Sequence, residues 1–274
     1  MPDLELAELT AASLGRVRER TPLVHNITNF VVMNDTANVL LAAGASPVMA
    51  HAAQEVREMV SHASALVLNI GTLDEAWVES MVAAGHEANA RGIPIVLDPV
   101  GAGATAFRNR TTENLLRWLR LSVVRGNAGE LSAIAGLGGE VRGVDAVSAS
   151  APDAAATRVA GMTGGAAVAS GAIDFVAGGG RLAEIHNGHP AMGRITGSGC
   201  MATAMVGAFL AVEPDPFLAA AEAMIAFGIA GELAAERSGG PGTFHALLMD
   251  AVAGLDGATI RSRTRAVLRA AGPA

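Results

Sequence analysis

Ala65-Leu66-Val67-Leu68-Asn69-Ile70, closed by Gly71, sets the pattern for the whole chain. Its length and branched residues make it a strand, and its nearly unbroken apolar character requires cover on both faces. Pro94-Ile95-Val96-Leu97-Asp98 repeats that character, and Val24 to Ile27 and Leu121-Ser122-Val123-Val124 are shorter versions. Stretches of helical composition lie between and after them: 4–19, 30–43 ended by Gly44, 74–91 with Asp74 as N-cap, 111–120, 127–135 and 151–162. Pro47 to Ala50 is a short apolar run. Ala166 to Ala169, Ile173 to Ala177 and Arg181 to Ile185 read as three more strands, with turns at Gly171 and at Gly178-Gly179-Gly180. Residues 137–150 lack periodicity and read as a loop, and the chain from 198 onward reads as mostly helix. Strand–helix alternation with apolar strands predicts an α/β fold, a central mostly parallel sheet flanked by helices on both faces. With no repeat or linker, residues 1–274 are expected to form a single domain.

Composition narrows the class. Of 274 residues, 51% are hydrophobic and 16% charged, so a large core can form and much surface is free to meet other subunits. Aromatics are 3% and tyrosine is absent, so that core must be aliphatic. A net charge of −7, from 19 basic and 26 acidic residues, gives no general attraction for nucleic acid or an anionic membrane. The single cysteine excludes an internal disulfide and a cysteine zinc cage. Met1-Pro2-Asp3-Leu4-Glu5-Leu6 is not a signal peptide. The longest charge-free apolar run, near 197–212, is shorter than the ~20 residues of a membrane span. A cytoplasmic protein with neither nucleic-acid nor membrane partners is expected.

Chemistry concentrates in a few polar segments. Thr196-Gly197-Ser198-Gly199-Cys200 opens into the apolar helical run 201–210. Its glycines allow close backbone approach, and the free N–H groups of a helix start attract an anion such as phosphate. The same field would stabilise a Cys200 thiolate. The alternative is a glycine turn feeding a packed core helix, with a small buried cysteine. Asp98 ends a buried strand, where open α/β sheets bind ligands, and suits a metal ion or a substrate hydroxyl. Its alternative is to cap the next turn. Arg125 could fork onto a phosphate. Asn127 and Glu130 lie three apart and share a helix face, which suits magnesium with retained waters or, equally, a capping box. His25-Asn26-Ile27-Thr28-Asn29 could line a pocket for a small polar heterocycle, with Asn29 at its end, or form a loop with Thr28 as helix cap. His186 and His189 read as a turn rather than a zinc site. A phosphate-binding Gly-x-x-x-x-Gly-Lys motif is absent. The dinucleotide pattern G-x-G-x-x-A occurs twice, at Gly101/Gly103/Ala106 and Gly197/Gly199/Ala202, without a clear ribose-binding acid beyond either.

Six runs in one order resemble the hydroxyethylthiazole kinases of the ribokinase-like superfamily, over nearly the whole chain. They are Pro22 to Asn29, Gly44 to Ala50, Leu66 to Leu73, Leu97 to Thr105, Arg125 to Glu130, and Thr196 to Cys200. The resemblance implies a sheet flanked by helices and transfer of the γ-phosphoryl group of ATP to the primary alcohol of 4-methyl-5-(2-hydroxyethyl)thiazole, feeding thiamine salvage. It implies that Gly197, Ser198, Gly199 and Cys200 form the anion hole. Cys200 stands where related sugar kinases carry an aspartate base. The thiazole is expected near Met49 and Gly197, with Asn29 at the same end. The nucleotide is expected near Arg125, Asn127 and Ser170, and Mg2+ near Asp98 and Glu130, bound directly or through water. Where the family usually has Thr-Gly-Glu, this chain has Ser170-Gly171-Ala172, which keeps the hydroxyl and loses the acid. The resemblance also implies a homotrimer with active sites between subunits. On the residues alone, another small alcohol as acceptor, a dinucleotide-dependent oxidoreductase and a non-catalytic thiazole-binding protein remain alternatives.

Overall fold

The computed structural model describes residues 2–137, 140–142, 145–148 and 151–271. Through the first half, the order is α1 (Pro2–Arg20), β1 (Leu23–Ile27), α2 (Met33–Ala43), β2 (Ser46–Val48), α3 (Val56–Ser61), β3 (Ala65–Asn69), α4 (Glu75–Arg91), β4 (Ile95–Asp98), α5 (Ala106–Trp118), β5 (Val123–Asn127) and α6 (Ala128–Ala135). Then come β6 (Glu140–Arg142), β7 (Asp145–Ser148), α7 (Pro152–Thr163), β8 (Ala166–Ser170), β9 (Asp174–Gly178) and β10 (Arg181–Ile185). A 3₁₀ turn at Pro190–Arg194 leads to α8 (Ser198–Leu210), α9 (Pro216–Arg237), α10 (Pro241–Gly254), α11 (Gly257–Arg263) and β11 (Ala266–Ala270).

The principal sheet has nine strands in the order β11-β10-β9-β8-β5-β4-β3-β1-β2. Strands β2, β1, β3, β4, β5 and β8 run parallel, and each neighbouring pair beyond β8 is antiparallel. This is the expected α/β architecture. Alternation along each strand splits the core in two. Val24, Val67, Val96 and Val123 face α1, α2, α8, α9 and α10, while Leu66, Leu68, Ile95 and Leu97 face α3 to α7.

Local chemistry sets the helix ends. Asp74 caps α4 by accepting from the Trp77 N–H at 2.9 Å, as its sequence position predicts. Gly44 ends α2 in the left-handed region at φ 94°. Helix α8 is buried from Met201 to Leu210 and lies directly on the sheet. A Cβ at Gly207 would stand 2.6 Å from Val67 Cγ2, so glycine sets that approach.

Several expectations need correction. The stretch 137–150 is not simply a loop, because β6 and β7 pair antiparallel there; residues 138–139, 143–144 and 149–150 lie outside the described residues. Helix α5 begins five residues earlier than its periodicity suggests, because Thr105 caps it by accepting from Arg108 N–H. Thr28 caps no helix; α2 starts after Val32 without a side-chain cap. The chain from 198 onward is mostly helix as expected, with β11 added to β10 at the sheet edge. The short helix α3 has too few turns to show a period. Helix α9 is long and apolar enough to cross a membrane by length and composition, and 83% of its apolar window is buried inside the fold.

Glu222 interrupts that apolar helix. It is fully buried, and neither carboxylate oxygen has a hydrogen-bond partner that satisfies normal geometry. Burial pushes its pKa up to about 7, with Ser13, Arg16, Glu213 and Asp215 around it. A carboxyl raised in the folded state stabilises the fold fully below its unfolded pKa and loses that contribution as pH rises through about 7. Glu222→Gln is therefore expected to melt within a degree or two of the parent near pH 5. At pH 8 it should melt several degrees higher, read by calorimetry at both values.

Candidate active site

The parallel strands β1, β3, β4, β5 and β8 end on one side of the sheet, and the start of α8 comes up against those ends. Register does much of the placing: Asn69 pairs with Asp98 across β3 and β4, and Asn127 with Ser170 across β5 and β8. Two cavities open there, of about 570 and 510 Å3. The first runs over Ser170, Asp174, Asn187, Ala202 and Phe227, the second over Asn29, Asp98, Glu130, Gly197 and Cys200. They share Arg125, Asn127, Ser170, Gly193, Ser198 and Gly199, so they meet at the α8 N-terminus. A cleft of about 360 Å3 between α5, α6 and α7 is separate from both.

Gly197 precedes α8 at φ 85°, a left-handed conformation, and a Cβ there would meet Val32 Cγ1 at 2.9 Å. A Cβ on Gly199 would meet Arg125 Nη1 at 2.8 Å. Both glycines thus admit close approach at the helix start. The turn also leads into a packed core helix, as the structural reading of this motif expects.

Arg125 is 8% exposed and donates to Ser170 Oγ at 2.7 Å. Its Nε is buried without a partner, and among the described residues it forms no ion pair within 4.0 Å. A buried guanidinium without a paired acid is ready for an anionic ligand. Ser170 in turn donates to Gly126 O at 3.2 Å. Asp174, two residues beyond Ala172, accepts from Gly171 N–H at 3.0 Å and lines the first cavity. Burial raises its pKa to about 6.

Asp98 does not cap the following turn. Its Oδ2 accepts from Asn69 Nδ2 at 2.8 Å and from Thr203 Oγ1 at 2.7 Å, while Oδ1 takes no hydrogen bond from the described residues. Asn127 and Glu130 do form a capping box: Glu130 N–H donates to Asn127 Oδ1 at 2.9 Å, and Asn127 N–H to Glu130 Oε2 at 2.8 Å. Glu130 Oε1 accepts from Gly101 N–H at 2.7 Å, so this carboxylate also pins the loop after β4. Burial, and then the charge of Asp98, push Glu130 to about 7; burial likewise raises Asp98.

These two acids fit magnesium of the water-rich kind. Among the described residues, no group of three or more His, Cys, Asp and Glu forms a protein cage. Two buried, mutually repelling carboxylates, one with an oxygen free of hydrogen bonds, suit an ion that keeps most of its waters.

The thiolate expected at Cys200 is contradicted. Burial, then the charge of Asp98, push its pKa up to about 12, against weaker help from Asn69, Arg125 and Asn29. Loss of solvation outweighs the helix field, leaving a neutral thiol.

Met49, placed with the thiazole by resemblance, follows the edge strand β2 and lines neither cavity of the single chain. His25 Nε2 holds that segment through Ala50 O at 2.6 Å. His189 caps the 3₁₀ turn by accepting from Ala191 N–H, as a turn residue should. Three residues were missed from sequence. Asn69 and Thr203 contact Asp98, and Arg108 donates to Ile70 O, Val100 O and Gly71 O, stitching the loops after β3 and β4. Gly101 and Gly103 serve that loop: Gly101 packs on Arg108 and Gly103 N–H donates to Asn109.

The hydroxyethylthiazole kinase family model matches residues 14–257. A hydroxyethylthiazole kinase of Rubrobacter xylanophilus is 56% identical over 245 residues, 89% of this chain and 91% of that one. The solved structure of the hydroxyethylthiazole kinase protein from Pyrococcus horikoshii OT3 superposes with a TM-score of 0.88 at 47% identity, covering 95% of this chain and 98% of that one. A pyridoxal kinase from Staphylococcus aureus, solved with ADP, shares the fold at 17% identity and a TM-score of 0.57, over 77% and 88% of the two chains.

Gly197→Ala must hold a side chain at positive φ against Val32. It is expected to lower the melting temperature by roughly 2–6 °C and to reduce kcat/KM at least a hundredfold. Thermal melts and steady-state rates check both.

Proposed function

The chain belongs to the hydroxyethylthiazole kinase family, and on that footing we propose how its residues divide the work of phosphoryl transfer. The activity is phosphorylation of the hydroxyl of 4-methyl-5-(2-hydroxyethyl)thiazole by ATP, in thiamine salvage. The observation that carries the proposed division of labour is the meeting of two cavities at one helix N-terminus and one unpaired guanidinium. The nucleotide occupies the cavity over Ser170 and Asp174, with its phosphates at Arg125 and Asn127. The thiazole occupies the other, against Asn29 and Gly197, with its hydroxyl at Cys200.

The alcohol oxygen bonds to the γ-phosphorus as the bridging bond to ADP breaks, and the alcohol proton passes to an oxygen of the transferred phosphoryl group and from there to water. The transition state is loose, so charge spreads over the phosphoryl oxygens and positioning dominates. The N–H groups of Ser198, Gly199 and Cys200 receive that charge and Arg125 adds a fixed cation. Asp98 through Oδ1, and Glu130 through water, would hold Mg2+, which when bound neutralises charge on the phosphates. A neutral Cys200 cannot accept a proton at the outset. It holds the hydroxyl by hydrogen bonding and contributes less than the ~10²-fold of a matched base.

The assembly we propose is a homotrimer with sites between subunits. Phe30, Val31 and Leu41 are 59%, 60% and 60% exposed, and Val31 lines the thiazole cavity; they offer apolar surface to a neighbouring copy. Met49 reaches the thiazole at that boundary. Use of ATP on a small metabolite supports a cytoplasmic location.

A coupled ADP-release assay over a panel of small alcohols, with and without magnesium, tests the reading; turnover should appear with the thiazole alcohol and need the metal. Cys200→Ala should lower kcat about tenfold, and Cys200→Asp should keep or raise it. Loss of all activity in a folded Cys200→Asp variant would contradict the role given to that position. Arg125→Ala should lower kcat/KM for ATP at least a hundredfold. Light scattering should return three times the chain mass, and Leu41→Glu should reduce it.

A further inference from the structure

Asn69 is the one polar residue of β3, and the sheet register sets it beside Asp98. It is 2% exposed. Its orientation is fixed from both sides. Val31 N–H donates to Asn29 Oδ1 at 3.1 Å, so the Asn29 amide must turn its nitrogen inward. That nitrogen donates to Asn69 Oδ1 at 2.8 Å, and Gly71 N–H donates to the same oxygen at 2.9 Å. A flipped Asn69 would set N–H groups against N–H groups, so its Nδ2 has to face the site. There it reaches Asp98 Oδ2 at 2.8 Å and Cys200 Sγ at 3.2 Å. Its two hydrogens serve one partner each. Thr203, fully buried on α8, supplies the second donor to the same Asp98 oxygen.

We propose that Asn69 is a positioning residue for phosphoryl transfer: with Thr203 it clamps one oxygen of Asp98, so that only the other is offered to ligand, and it holds the Cys200 sulfur with its remaining N–H. The inference rests on the roles given above to Asp98 and Cys200. The clamp fixes the carboxylate plane, because a side chain held by two donors on one oxygen cannot rotate to present both. It also ties the end of β3 to the start of α8, so acid, thiol and anion-binding N–H groups keep one spacing.

Asn69→Asp separates the two halves of the amide. The new side chain still accepts from Asn29 and Gly71; as an ionised acid it cannot donate, and it then sets a second negative charge against Asp98. Thr203→Val removes the other donor at nearly constant shape, and Thr203→Ser restores a hydroxyl. Asp98→Asn is measured alongside, with thermal melts and calorimetric binding of the thiazole alcohol in the absence of nucleotide and metal. The expected result is a kcat at least a hundredfold lower for Asn69→Asp and about tenfold lower for Thr203→Val. Thr203→Ser should stay within threefold of the parent, and the thiazole KM and its metal-free Kd should change less than threefold throughout. The clamp is overturned if Asp98→Asn is impaired while Asn69→Asp and Thr203→Val keep parental kcat. It is equally overturned if thiazole binding weakens in step with rate, or if Thr203→Ser fails as badly as Thr203→Val. Full activity in Asp98→Asn would remove Asp98 from the site, and the proposal with it. Should Asn69→Asp not fold, the Thr203 pair decides alone.

Discussion

A carboxylate buried where a helix begins is the constraint around which this protein is arranged. Asp98 closes β4 in the middle of the sheet, and its Oδ2 receives one donor from β3 and one from α8. Those two hydrogen bonds join the sheet to the helix whose first N–H groups open on the cavities. A buried carboxylate is costly unless its lone pairs are met, so the fold must hold Asn69 and Thr203 in place. Gly207 makes the approach possible from the other end, letting α8 lie on Val67 and Val24. The start of α8 and the acidic end of β4 are therefore one unit.

That unit carries an electrostatic tension. Asp98, Glu130 and Asp174 are buried in or beside the cavities proposed for a polyanion, and burial raises all three. Arg125 is the buried cation among them and is left without an ion pair. In the proposed arrangement triphosphate and a divalent ion would relieve both sides, with phosphate at the guanidinium and helix start and the cation at the acids. Arg108 donates instead to three backbone carbonyls and fixes the loops that follow β3 and β4.

How much of this could be read from the chain follows from what each feature depends on. The β3 and β4 strands declared themselves because an apolar run with a sharp glycine or acid end needs no partner to be recognised. Asp74, Gly44 and the helix start at Ser198 were equally local. Asn127 and Glu130 were legible as a pair but not in role, since a capping box and a metal site ask for the same residues; the structure shows the box, with Glu130 also holding Gly101. Cys200 was misread because the helix start is visible in sequence, while its burial and the nearby charge of Asp98 are not. Asn69, Arg108 and Thr203 were out of reach for the same reason: each has a partner 29 or more residues away. The strand β11 was hidden because pairing with β10 at an edge, not its own pattern, makes it a strand.

The account turns on where the transferred phosphoryl group sits. A crystal structure with a non-hydrolysable ATP analogue, magnesium and the thiazole alcohol measures this directly. The γ-phosphate should lie within hydrogen-bonding distance of the backbone N–H groups of residues 198–200, with the alcohol oxygen between it and Cys200. A triphosphate directed away from that helix start, with Arg125 unengaged, would contradict the account.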